Sequence, residues 1–336
     1  MRLYVFFRGA STFEDDAKKL RISCWVSEIK RGVSWRRSSI PLALISPLFG
    51  GYDYRVAYRG DTLAGTYGVH TVSPYPLYWF IYPFAILPED IGYILWNLGN
   101  AICYILAIRY WKSDLLAFSF FIGVFWTFYG GQLEGFMSGA PVVAMLPNPW
   151  LAGLGVTVLS FKPQIGLFPI LFILLHRKDW KFLVIPAIVY LTSFITWGWW
   201  IPKWLAALRQ IGNVGPSLAS NVSLYPYGLV LLIILLRYRS SLKIWMLVQS
   251  LAMPYSPIYS LAPMFTLVSP SIWANILIWI FYLITEKYMV LSFLGFIFPL
   301  SFLLVEIWRN EKHSTHKLNL EKEPASTMQT TLHDHE

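Results

Sequence analysis

Asp53, Gln132 and the triplet Lys162-Pro163-Gln164 are the polar residues whose placement invites chemistry, because each lies at the end of an apolar run. An ionisable group at membrane depth costs about 3 kcal/mol on insertion scales, so it is a functional candidate by default. Asp53 follows the first apolar run, Ser39 to Gly51, by two residues. A carboxylate held there can take a proton from a substrate hydroxyl as a general base. Its structural alternative is an ion pair with Arg55 or Arg59. Lys162 precedes a proline that blocks helix continuation, so its ammonium is presented at a break, where it can hold a phosphate. The alternative for Lys162 is snorkelling to lipid headgroups. Weaker patterns are set aside. His333-Asp334-His335-Glu336 is terminal and lacks a third element for a metal, Asn221-Val222-Ser223 is a glycosylation sequon on an outer loop, and no Gly-rich phosphate loop or serine elbow occurs.

The elements that must position these residues are membrane helices. Of the 336 residues 56% are hydrophobic and 13% charged, against roughly 25% charged in soluble domains, which excludes a soluble globular enzyme. The mean hydropathy of +0.51 and an aromatic content of 18% point the same way, since amphipathic rings gather where lipid meets water. The net charge of +9 does not indicate nucleic acid: nine bases lie in residues 1–39, mixed with Glu14, Asp15, Asp16 and Glu28, and abut the first apolar run as in cytoplasmic anchoring. Cys24 and Cys103 make neither a disulfide framework nor a metal site.

Read against a requirement of about 20 apolar residues per crossing, the runs define an all-α, polytopic bundle of about 11–12 transmembrane helices, several short or broken. A basic cytoplasmic segment, 1–38, precedes a membrane domain, 39–306, and a polar cytoplasmic tail, 307–336, is expected to be disordered. Residues 52–76 and 201–225 are read as outer loops. Leu77 to Leu87 is interfacial or re-entrant, Ile91 to Ile108 spans, and Leu115 to Tyr129 returns the chain to the outside at Gln132. The short runs Leu133 to Leu146 and Trp150 to Phe161 are expected to line an enclosed, water-accessible cavity. Ile165 to Leu175 leads to the basic loop His176 to Lys181, which faces the cytoplasm and therefore leaves Lys162 outside. Lys181 to Trp200 exits again, and five further runs carry the chain to Val305.

The segment Asp53 to Tyr67, Tyr82-Pro83, Leu95-Trp96-Asn97, Gly131-Gln132, and Ser160-Phe-Lys-Pro-Gln164 before the basic loop, in that order and spacing, resemble the polyprenyl-phosphate-mannose-dependent mannosyltransferases of glycosyltransferase family 87, in the type C superfamily. The resemblance covers residues 52 to about 260. It implies a multi-pass cell-membrane enzyme with cytoplasmic termini that moves a hexose, mannose first, from a polyprenyl-phosphate donor to a glycan or glycolipid hydroxyl on the extracytoplasmic side. Inversion, with no nucleotide sugar, is implied as well; no cofactor or metal is expected, since phosphate is already a good leaving group and the sequence offers no carboxylate cluster to bind a metal. Asp53 occupies the position of the family's base. Lys162 and Gln164, with Gln132, Arg55, Tyr58 and Arg59, are the donor-phosphate and substrate-binding candidates, and Asp61 is a second acid. Where the family tends to carry an acid or histidine after a Ser-Pro turn, this chain reads Tyr255-Ser256-Pro257-Ile258-Tyr259-Ser260. A lipid-linked sugar flippase or transporter is the rival reading, and an inactive scaffold a third; internal repeats, expected of a transporter, are not seen.

Overall fold

Tyr54, Ala57 and Tyr58 recur at the i, i+3, i+4 spacing of one helical face, and all three are buried. That spacing folds the segment expected to be an outer loop into a π-helix, α1 (Asp53–Gly60), continued by the short turn α2 (Asp61–Ala64) and closed by Gly65. The polar composition of the segment conceals the period. The computed structural model describes residues 50–65, 73–213 and 221–322. The basic N-terminal segment, nearly all of the run 39–51, the sequence beyond 322 with its His-Asp-His-Glu end, and Cys24 lie outside the described residues.

Among the described residues all the regular structure is helical, apart from an isolated bridge between Asn221 and Pro257. Pro76 opens α3 (Pro76–Ala85), where its fixed φ suits a first turn. Glu89 and Asp90 open α4 (Glu89–Trp111) and Arg109 lies in its last turn, charges that suit the helix dipole at both ends. At 23 residues α4 is about 35 Å long. The run expected to cross at Leu115 to Tyr129 is instead broken into α5 (Leu115–Ser119) and α6 (Ile122–Gly130). Ser119 Oγ donates to Leu115 O at 2.8 Å and Phe121 turns to an extended conformation, which ends the first piece. Then come α7 (Glu134–Ala144), α8 (Pro149–Ser160) and α9 (Pro163–His176). Asn148 caps α8, accepting from Trp150 N and Leu151 N at 2.9 and 3.2 Å. The second half comprises α10 (Trp180–Trp197), α11 (Ile201–Asn213), α12 (Tyr227–Arg237), α13 (Leu242–Ala252), α14 (Ile258–Val268), α15 (Ile272–Lys287) and α16 (Ile297–Lys322).

Two further expectations need correcting. The stretch read as the outer loop 201–225 begins with a helix, α11, whose Ile201 and Trp204 pack against the aromatic group of Tyr75, Tyr78 and Trp200. The tail read as disordered continues α16 as far as Lys322.

Only α4 and α10 are long and apolar enough to cross a membrane among the described residues; six other apolar helices have 10–17 residues. The two long helices differ in surroundings. In α4 half of the apolar window is buried inside the protein, whereas in α10 the figure is 11%, with Ile188, Leu191 and Ile195 exposed. Helices α4, α7, α8 and α9 pack successively and, with α1 and α3, enclose a core containing Tyr54, Trp96, Leu133 and Ile165. A second core lies among α6, α13, α14 and α16. At the α4–α7 crossing a Cβ on Gly135 would stand 2.4 Å from Asn100 O, so only glycine permits this approach. Asn100 uses the closeness, as described next.

Candidate active site

The site is assembled where the start of α1 meets the turn between α6 and α7. Gly51 N donates to Tyr129 O at 2.6 Å, which fixes the entry to α1 beside the end of α6. The chain then reverses at Gly131, whose φ of +77° lies in the left-handed region. Trp96 Nε1 of α4 donates to Gly131 O at 2.8 Å, and Asn100 Nδ2 donates to Gln132 O at 3.0 Å. Asn100 Oδ1 accepts from Gly135 N and Phe136 N at 2.8 and 3.3 Å, serving two amides that the first turn of α7 leaves without helical partners. The side chain of Gln132 is thereby aimed at α1.

Gln132 Nε2 donates to Asp53 Oδ2 at 2.6 Å. Its Oε1 accepts from Tyr58 Oη at 3.2 Å and from Lys162 Nζ at 3.4 Å. Asp53 is half-buried, while Gln132, Tyr58 and Lys162 are buried. Lys162 stands just before α9, at the break imposed by Pro163. Its ammonium is ion-paired with Glu134 Oε1 and lies 5.0 Å from the centre of the Tyr259 ring. Glu134 is fully buried, and Ser260 Oγ approaches the same carboxylate oxygen at 3.5 Å. Lys162 therefore points into the protein and does not snorkel to headgroups.

The structure thus brings Asp53, Tyr58, Gln132 and Lys162 into one network, and adds Glu134, Tyr259 and Ser260, which the sequence reading missed. Glu134 carried a signal: a carboxylate two residues after Gln132, at the head of an apolar run. The other candidates fall elsewhere. Arg55 pairs with Glu89 and, at 2.8 Å, with Asp90; Arg59 Nη1 is 3.5 Å from Glu89 Oε2 and its Nη2 is 3.5 Å from Leu87 O. Asp61 is buried at the start of α2. Gln164 is half-buried in the first turn of α9, with no hydrogen bond to this network among the described residues. The glutamine that engages α9 is Gln249 of α13, accepting from Phe168 N at 2.8 Å and donating to Pro163 O at 3.0 Å. No group of three His, Cys, Asp or Glu able to hold a metal occurs among the described residues.

Burial raises the Asp53 carboxyl above its ordinary value, against the opposing pull of the Gln132 hydrogen bond and the Lys162 charge. Burial also holds the Tyr58 phenol well above its usual value, so its hydroxyl stays protonated and donates to Gln132. A base works in its ionised form, so a reaction using Asp53 is lost as pH falls through the raised midpoint. The acid limb of kcat/KM is accordingly expected above the ordinary value of an aspartate; a limb at or below that value would remove Asp53 as the titrating group.

A half-buried carboxylate oriented by an amide, beside a buried cation in an all-helical scaffold, is equipped to move a proton next to an anionic group. The model of glycosyltransferase family 87 matches residues 74–253, more than half of the chain, and the chain belongs to this family. It is a glycosyltransferase. Neither a curated protein nor a solved structure matches it.

Proposed function

We propose that this glycosyltransferase is a multi-spanning membrane enzyme that moves a hexose, mannose first, from a polyprenyl-phosphate carrier to an acceptor hydroxyl at the extracytoplasmic face, with inversion. The observation that carries the reading is the Gln132 amide bonded to Asp53, which holds one carboxylate oxygen in fixed orientation at the half-buried end of a buried polar network. Asp53 takes the proton of the acceptor hydroxyl as that oxygen attacks the anomeric carbon, and the carrier phosphate leaves from the opposite face. Phosphate is a good leaving group, so charge stabilisation on it is the other requirement.

Arg55, Arg59 and Lys162 are the cations for that phosphate. Arg59 is the most available of the three, because its contact with Glu89 is long and Lys162 is already paired. Gln164 is a further substrate contact in this scheme. A lipid-borne donor agrees with the apolar, outward-facing surface of α10, whose exposed Ile188, Leu191 and Ile195 suit a hydrocarbon environment. Glu134 and Ser138 of α7 and Thr157 of α8 are buried inside the protein, as polar side chains of a membrane chain are expected to be.

The test is donor discrimination. Membranes containing the protein are given labelled hexose on a synthetic polyprenyl phosphate or on a nucleotide. Transfer from the lipid carrier alone is the expected result; transfer from the nucleotide sugar would refute the carrier, and translocation without transfer would favour the flippase.

A further inference from the structure

Glu134, Lys162, Gln132 and Asp53 form an unbroken chain of polar contacts: an ion pair, a hydrogen bond of 3.4 Å and a hydrogen bond of 2.6 Å. We infer that Glu134 is a positioning residue that keeps Asp53 basic by balancing the charge of Lys162. The inference rests on the reading of Asp53 as the base.

Lys162 is a full positive charge buried one amide away from Asp53. Alone it would favour ionised Asp53 and weaken the carboxylate as a base, since an opposite charge at close range lowers a carboxyl's proton affinity. Glu134 is placed to prevent this. Its Oε1 takes the ammonium directly, and its Oε2 has no hydrogen-bond partner among the described residues, so Lys162 is the main stabiliser of this buried charge. Glu134 offsets part of the Lys162 charge at Asp53, so that burial prevails over the combined pull of Lys162 and the Gln132 hydrogen bond. The titratable or charged groups facing Asp53 are Lys162, Glu134, Tyr58, Tyr93, Tyr255 and Tyr259. An ordinary phenol is neutral at pH 7, so the charged members of that set are the two partners of the ion pair, Lys162 and Glu134. Glu134 also fixes where Lys162 points, away from a direct pair with Asp53 and over the Tyr259 ring.

The experiment follows protonation of Asp53 without using turnover. The full-length protein in membranes is treated with dicyclohexylcarbodiimide across a pH series, and modification of Asp53, which requires the protonated carboxyl, is read by mass spectrometry. Glu134→Gln is expected to move the midpoint to lower pH, because Lys162 is then unbalanced. Glu134→Gln combined with Lys162→Met is expected to bring it back near the wild-type value. Glu134→Asp, which withdraws the carboxylate by one methylene, gives a smaller shift of the same sign and carries the test if Glu134→Gln fails to accumulate. A midpoint unmoved in Glu134→Gln, or in Glu134→Asp where that variant carries the test, overturns the inference. In turnover, Glu134→Gln shifts the acid limb the same way and lowers the plateau by less than the about 10²–10⁴-fold attached to a general base. If Asp53→Asn kept full turnover while the labelling midpoint still moved, the base reading would fail and the electrostatic coupling would stand.

Discussion

Asp53→Asn is expected to lower the rate of sugar transfer by about 10²–10⁴-fold, the usual contribution of a positioned general base, with little change in the amount or thermal stability of the protein. The amide keeps the size of the carboxylate and still offers an oxygen to Gln132 Nε2, so the contact that anchors the start of α1 survives. What disappears is the capacity to take a proton. Asp53→Glu retains that capacity but advances the carboxylate by a methylene against the Gly130-Gly131 turn; a Cβ on Gly130 would already meet Asp53 Oδ2 at 2.9 Å. Its rate is expected to fall between the wild type and Asp53→Asn. Transfer rates on equal amounts of membrane protein check both values. Wild-type transfer by Asp53→Asn would exclude Asp53 as the base.

The second large effect concerns folding. Lys162→Met leaves Glu134 fully buried with its ion-pair partner gone, and removing one member of a buried pair typically costs about 3–5 kcal/mol. Protonation of Glu134 relieves part of that cost. Replacing both partners, as Lys162→Met with Glu134→Gln, removes both charges together, and the loss is expected to be well below the sum of the two single losses. Thermal unfolding of the four proteins in one detergent reads the coupling. Additive losses would mean that the two side chains do not act as a pair.

What the sequence disclosed depended on where each residue stood along its helix. Asp53, Gln132 and Lys162 lie at helix ends, where a charge or amide interrupts an apolar run, and such interruptions are visible in one dimension. Glu134 lies at an end too, but Leu133 and the apolar residues after it drew it into a run, and its pairing with Lys162 spans 28 residues and two turns. Arg55 and Arg59 stand beside Asp53 in sequence, but in the fold Arg55 also reaches Glu89 and Asp90 and Arg59 reaches Glu89, partners at the start of α4 that lie 30 or more residues away and that no local pattern announces. Helix α1 was missed for a different reason. Its buried face is made of tyrosines and an alanine, which composition scores as loop-like, and the face is recognisable only once Tyr93 and Trp96 are there to cover it. The break at Phe120 and Phe121 involves no proline, so the continuous apolar run gave no warning of it.

The central claim, that Asp53 is a base in a single direct displacement and not a nucleophile, is tested most directly by the anomeric configuration of the product. One equivalent of polyprenyl-phosphate-hexose of defined configuration is turned over, and the new glycosidic linkage is assigned by its proton coupling constant. A single displacement gives the opposite anomer to the donor. The same anomer would require a covalent sugar–enzyme intermediate and a carboxylate acting as nucleophile, and would contradict the account.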